Sequence, residues 1–289
     1  MEVAATLTGE RVERHARAAK LRDAHPHAEE LLAFYERVLE IQAPLYRKAK
    51  RSSWLERVDV TTGGNGLRLG LQGLAGPERD RLFQEFVQAV EPVSTEILAA
   101  IAGRLTTSGA PATELLKAFL ARQPLDEMAD ALECKPLPLQ FFPRAFLQPV
   151  TEALAEQALQ RHPDIRYIES TCCPHCGWPP QLGLLLDEPE VKGRRLLLCS
   201  LCSSEWVFPR STCPSCGEAR ADQLQYHVTD FWPHIWIEEC ESCHTYIKAV
   251  DLREDGRAVP VVDELASVEL DLWATDEGLE KLQRNLLGL

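Results

Sequence analysis

The chain reads as α+β: an N-terminal all-α helical domain followed by two small tandem β modules that need a metal staple. Three observations predict this. The first half repeats apolar residues at three-and-four spacing, the mark of amphipathic helices. The second half switches to short apolar or alternating runs around turn residues, the mark of hairpins. That same half carries four Cys-x-x-Cys pairs within 71 residues. The expected boundaries are residues 1–165 for the helical domain, 166–210 for the first metal module, and 211–289 for the second module with a C-terminal tail.

The helical elements follow in order. HPHAEELLAFYERVLEIQAPLYRKAK sets Leu31, Leu32, Tyr35, Val38, Leu39 and Ile41 on one face. Pro26 suits its first turn, and Glu29 and Glu30 suit the positive end of the helix dipole. PERDRLFQEFVQAVEPVSTEILAAIAGRL repeats the pattern with Leu82, Phe83, Phe86, Val87 and Val90, and Pro92 is expected to kink or break it. PATELLKAFLARQ begins at Pro111 and ends before Pro124. RAFLQPVTEALAEQALQRH makes a fourth helix, interrupted by Pro149. Thr61–Gly66 and Leu105–Pro111 read as loops; TTGGNGLRLG is glycine-rich but lacks the spacing of a phosphate loop. His15, His25, His27 and His162 fall at helix edges, where capping or solvation is expected. Nothing in this half carries recognisable chemistry.

After HPDIRYIES the pattern changes. QLGLLLDEPEVKGRRLLLC is two apolar runs around an acidic, glycine-containing turn, and LQYHVTDFWPHIWIEEC repeats the idea with bulky and β-branched residues. Five of the six tryptophans lie here, in units too small to hold a large aliphatic core.

The staple is legible in the cysteines. The pairs are Cys173/Cys176, Cys199/Cys202, Cys213/Cys216 and Cys240/Cys243. Two intervening residues let the chain make a knuckle that turns both sulfurs toward one tetrahedral ion. Two knuckles have the form CPxCG: Pro174 and Pro214 fix the turn, and Gly177 and Gly217 supply a positive φ. RRLLLCSLCSSEW and HIWIEECESCHTY share an apolar strand, a knuckle and an aromatic (Trp206 or Tyr246) at one offset. The resulting repeat favours pairing Cys173/Cys176 with Cys199/Cys202, and Cys213/Cys216 with Cys240/Cys243. The rival arrangement joins the two knuckles closest in sequence and leaves the outer four together. Ser203 and His244 stand where glycine would ease the second turns. His175 and His244 are expected to lie outside the ligand set, Cys172 to be a bystander and Cys134 a small core residue.

Eight such ligands make two tetrahedral four-sulfur sites, in modules of rubredoxin-like or zinc-ribbon type. Zinc and iron both suit that donor set. Full coordination leaves no position for a substrate water, which argues against a hydrolytic centre. The ions could serve folding alone or a redox role, and the residues fit both.

Charge narrows the partners. Of the net −13, −3 belongs to residues 1–165 and −10 to residues 166–289. Phosphate backbones would be repelled by the metal-bearing half, so nucleic acid is not expected. The opening MEVAATLTGERVERHARAAK lacks a basic stretch followed by an apolar run, and no stretch approaches about 18 unbroken apolar residues, so neither leader nor membrane span is expected. The expected compartment is the cytoplasm, where paired thiols point to metal rather than disulfides. A rubredoxin-like electron carrier is the alternative function if iron is bound.

The order CPHCGWPP, LLLCSLCSSEW, CPSCGE and CESCHTYIKAVD behind a helical domain resembles the FdhE family of formate dehydrogenase accessory proteins. The resemblance implies a non-catalytic cytoplasmic maturation factor. Its partner would be the catalytic subunit of formate dehydrogenase, held before export, with the subunit's twin-arginine signal region as a suitable basic contact for the acidic half. It implies iron as the metal, with the eight knuckle cysteines as ligands; Cys172 is an addition to that set.

Overall fold

The structure, a computed structural model, describes residues 10–51, 59–63, 66–70, 77–107 and 112–289. Helix α1 (Glu10–Ala24) is not foretold by apolar periodicity, because its buried face is Arg11, Arg14 and Arg17 beside Ala18 and Leu21. A short 3-10 turn at Pro26–Ala28 leads into α2 (Glu29–Arg51), whose apolar face is the expected one. α3 (Pro77–Val90) ends in a 3-10 turn at Glu91–Val93, so Pro92 breaks the helix before α4 (Glu96–Thr107). α5 (Ala112–Leu120) and α6 (Asp126–Ala131) follow.

Three expectations need correction here. Thr61–Gly66 is not simply a loop: β1 (Asp59–Gly63) and β2 (Gly66–Gly70) form an antiparallel hairpin, with Val60 opposite Leu69. Leu105–Thr107 belongs to the end of α4, while residues 108–111 of that presumed loop lie outside the described residues. The fourth helix is longer and continuous, running as α7 from Pro136 to Arg161 with Pro143 and Pro149 inside it. Proline at 149 removes the N–H that would bond the Ala145 carbonyl. Gln42 Nε2 of α2 donates to that carbonyl instead, at 2.7 Å. α7 shows no apolar stripe because it is buried nearly all round, at the centre of the helices.

The second half forms one sheet. β3 (Pro180–Leu186), β4 (Arg194–Cys199) and β5 (Glu205–Val207) make an antiparallel meander. β6 (Leu224–His227), β7 (Ile235–Cys240) and β8 (Thr245–Asp251) make another in the same order. β3 and β8 then pair in parallel, joining both meanders in the order β5-β4-β3-β8-β7-β6, with β9 (Glu280–Lys281) beside β8. Gly183 permits that seam: a Cβ there would meet the Ala249 Cβ at 3.3 Å. Arg195 of β4 crosses between the units to Glu238 of β7 at 2.5 Å.

Two C-terminal helices, α8 (Pro260–Ala266) and α9 (Val268–Asp276), lock the halves together. Lys248 and Lys281 are buried against Glu264 and Asp271, with Lys248–Asp271 at 2.6 Å and Lys281–Glu264 at 2.5 Å. Asp263 of α8 receives Arg17 of α1 at 2.5 Å and His234 at 2.9 Å. A single hydrophobic cluster runs from α1 through α7 into β3, β4 and α8.

Candidate metal centres

Each knuckle is built by its local sequence. Gly177 (φ +76°) and Gly217 (φ +79°) occupy the left-handed region. Their N–H groups donate to the carbonyls of Cys173 and Cys213 at 2.8 and 3.0 Å. Cys173 and Cys213 in turn donate to the carbonyls of Trp178 and Glu218, both at 2.8 Å. In the second knuckles Ser203 (φ +54°) and His244 (φ +53°) take the same conformation without glycine's freedom. The hairpins carry the second knuckle of each unit back to the first.

The result is two groups of four sulfurs, each group lying within 4.8 Å: Cys173, Cys176, Cys199 and Cys202 in one, Cys213, Cys216, Cys240 and Cys243 in the other. The grouping is therefore the sequential one, not the rival. A tetrahedral ion with bonds of about 2.3 Å spaces its sulfurs by about 3.8 Å. The Sγ separations are 3.6 Å (Cys173–Cys202), 3.4 Å (Cys176–Cys199), 3.8 Å (Cys213–Cys243) and 3.7 Å (Cys216–Cys240). The donor sets fit an ion of that size, and the two four-cysteine sites can hold two metal ions.

Electrostatics agree. Burial pushes the Cys173 and Cys176 thiols well above the ordinary range, and raises Cys240 to about 12. Cys243 goes the other way. Burial opposes its ionisation, but the Thr245 hydroxyl and N–H and the adjoining sulfurs bring it down to about 7. Four sulfurs this close cannot all ionise without a cation among them. Backbone donors already face the sulfurs, with Leu201 N–H 3.4 Å from Cys199 Sγ and Ser215 N–H 3.3 Å from Cys213 Sγ. A hydroxyl recurs two residues after the last cysteine of each unit: Ser204 Oγ is 3.2 Å from Cys202, and Thr245 Oγ1 is 2.9 Å from Cys243.

The surroundings differ. The first cluster is clasped by α7. Thr151 Oγ1 donates to the Leu201 carbonyl at 3.0 Å, and Ser203 Oγ donates to Glu152 at 2.7 Å. Glu152 is itself held by Arg11 and by Arg14 at 2.7 Å. Phe119 of α5 stacks on Trp178 at 4.7 Å, and the Arg144 guanidinium lies 5.8 Å from the same ring. Burial lowers Arg144 to about 10, opposed by Cys199. The second cluster has no helical clasp of this kind among the described residues: Cys216 is exposed, and in the same unit Ser242 Oγ bonds to Glu218 at 2.8 Å and to Gln223 at 3.2 Å.

Trp206 and Tyr246 occupy equivalent places, both buried, their polar atoms bound to the Ser170 carbonyl at 2.7 Å and to Asp271 at 2.8 Å. Cys172 lies outside the cluster, its N–H bound to Ser170 Oγ at 3.2 Å. Cys134 is half-buried against the helical core. His244 is exposed, as a solvated residue would be, but His175 is 1% exposed with neither ring nitrogen bonded among the described residues. His25 and His27 are not mere helix-edge residues. His25 stacks on Trp232 at 4.3 Å, and His27 meets the Ala266 carbonyl at 3.1 Å and Glu269 at 3.0 Å, tying the helices to the second unit. Sequence reasoning also misses Arg144, Thr151 and Glu152, whose importance comes only from what α7 touches.

The metal half matches two family models: residues 172–210 match "FdhE, central domain" and residues 211–287 match "FdhE, C-terminal domain". A protein FdhE homolog of Aquifex aeolicus is 38% identical over 150 residues, 52% of each chain. One from Stutzerimonas stutzeri is 34% identical over 122 residues, 41% of this chain and 39% of its own. The chain thus spans about half the length, or less, of the curated relatives it matches. The crystal structure of the FdhE protein from Pseudomonas aeruginosa has the same fold, with a TM-score of 0.65 at 23% identity over 97% of this chain and 96% of that one.

Proposed function

We propose that the chain, whose metal half matches two FdhE family models, is a member of that family and a non-catalytic accessory protein for formate dehydrogenase. It binds the enzyme's catalytic subunit in the cytoplasm before export, and each four-cysteine cluster holds one metal ion through Cys173, Cys176, Cys199 and Cys202 or through Cys213, Cys216, Cys240 and Cys243. The observation that carries this is the closed donor set: sulfurs at tetrahedral spacing leave an ion no position for substrate, so the clusters suit a binding protein better than a hydrolase. Iron, the metal implied by the family, supplies one-electron chemistry at such a site, and zinc fits the same sulfurs. Among the described residues no helix is long and apolar enough to cross a membrane. The excess of ten negative charges in residues 166–289 suits a basic segment of the client, such as a twin-arginine signal region.

Anaerobic affinity capture from native cytoplasm tests the reading. Recovery of a formate dehydrogenase catalytic subunit, weakened as salt rises, is the expected result. Recovery of no such subunit overturns it. The exposure of Cys216 favours a second reading, an electron carrier working through the outer cluster. Capture of a redox enzyme in place of formate dehydrogenase, abolished by Cys213→Ser/Cys216→Ser, would establish that alternative.

A further inference from the structure

A cleft of about 270 Å³ opens between α1, α2 and α7 on one side and the Cys202–Glu205 turn on the other. Four carboxylates line it, and three are already matched. Glu152 is held by Arg11 and Arg14, Glu10 by Arg14 at 2.7 Å, and Glu156 by Lys50 at 2.8 Å and the Tyr46 hydroxyl at 2.7 Å. Glu205 is the exception: its backbone belongs to the β4–β5 ladder, but its carboxylate has no hydrogen bond or ion pair among the described residues. Burial raises its pKa, Arg166 only partly offsets this, and Arg166 is itself engaged by Glu188 at 3.1 Å. A half-buried carboxylate with no partner is costly, and a cation entering from outside would recover that cost. Beside it, Tyr46, Ala155 and Leu159 give the cleft an apolar wall, and Leu159 is 40% exposed.

An unpartnered carboxylate and apolar side chains lining one cleft describe a receptor for a charged head on an aliphatic stem. We propose that this cleft receives an arginine or lysine side chain of a peptide segment of the partner, with Glu205 as its ion-pairing residue. The proposal deepens the accessory-protein reading and rests on it for the identity of the partner. It places recognition beside the first cluster, since Cys202 and the turn that follows it line the cleft.

The test uses the full metal-loaded chain and a fluorescent synthetic peptide carrying two adjacent arginines among apolar residues. A second peptide has both arginines replaced by the neutral isostere citrulline. Anisotropy titration of the wild type should show binding of the arginine peptide and at least about tenfold weaker binding of the citrulline peptide, as expected for one charge-assisted pair. Glu205→Gln should lose about tenfold for the arginine peptide and nothing for the citrulline one. Leu159→Arg, at an exposed position, should block the cleft with a cation of its own; unchanged melting and metal content would show both variants folded. Equal binding of the arginine peptide by wild type and Glu205→Gln overturns the proposal. So does displacement by spermidine or arginine amide at the peptide's own concentration, which would mark a small-cation site. Failure of the wild type to capture any formate dehydrogenase subunit would instead remove the accessory-protein reading, while the peptide titration still reports on the cleft.

Discussion

The two clusters are nearly the same object placed in two environments. Both have a glycine at positive φ after the first knuckle, a strained non-glycine after the second, a hydroxyl beside the last sulfur, and two sulfur contacts between knuckles at 3.4 to 3.8 Å. Yet the first packs against α5 and α7, with Cys173, Cys199 and Cys202 buried and Cys176 partly so, while the second leaves Cys216 at the surface. The local repeat sets the geometry of a site, and the elements packed over it set its access.

That contrast can be broken by experiment. The largest expected effect is in the rate of metal loss. A competing chelator or thiol reagent should empty the protein in two well-separated phases, with Cys213→Ser/Cys216→Ser removing the fast one; a single phase would equate the clusters. Next is the clasp itself. Glu152→Gln leaves Arg11 and Arg14 buried with half their compensation and should cost about 3–5 kcal/mol in denaturant unfolding. It should also speed release from the first cluster and leave the second unchanged.

A third effect sharpens the view from the other end of the sheet. Burial would raise the Asp271 carboxyl, but Lys248 and Lys281 hold it below its ordinary 3.8. A depressed folded value means the stabilisation is complete above 3.8 and is lost as pH falls through the folded value. Thermal melts of wild type and Asp271→Asn should therefore differ most near neutrality and converge in acid. The smallest effect is Thr151→Val, which removes the donor to the Leu201 carbonyl and should cost about 1 kcal/mol, with a modest rise in metal loss from the first cluster alone.

Most of the chemistry was legible in sequence because it is local. Cysteine spacing, the CPxCG glycines and the repeated strand–knuckle–aromatic phrase are read within a dozen residues, and both hairpins stand where alternation puts them. What escaped depends on partners far along the chain. α1 hides because its inward face is arginine, and Arg14 is understood only with Glu152, 138 residues away. α7 hides its continuity because Gln42, from another helix, bonds the carbonyl that Pro149 leaves open. The parallel seam between β3 and β8 joins units that sequence shows only as copies, and Gly183 reveals its purpose only opposite Ala249. The hairpin at residues 59–70 is short and glycine-rich, so turn composition masked its pairing.

The bond between Arg17 and Asp263 has a consequence in time. Its partners are 246 residues apart, so a ribosome making 5–20 residues per second completes the second on the order of ten to fifty seconds after the first. Through that interval α1 has its guanidinium groups made but not the acid that will receive Arg17, and Glu152 of α7 arrives only midway. Helix α1, though first to emerge, is therefore among the last elements to be fastened. A nascent chain stalled short of Asp255 and Asp263 would hold a first helix whose Arg17 has neither acid, a state that trypsin cleavage at Arg17 on ribosome-bound chains would reveal.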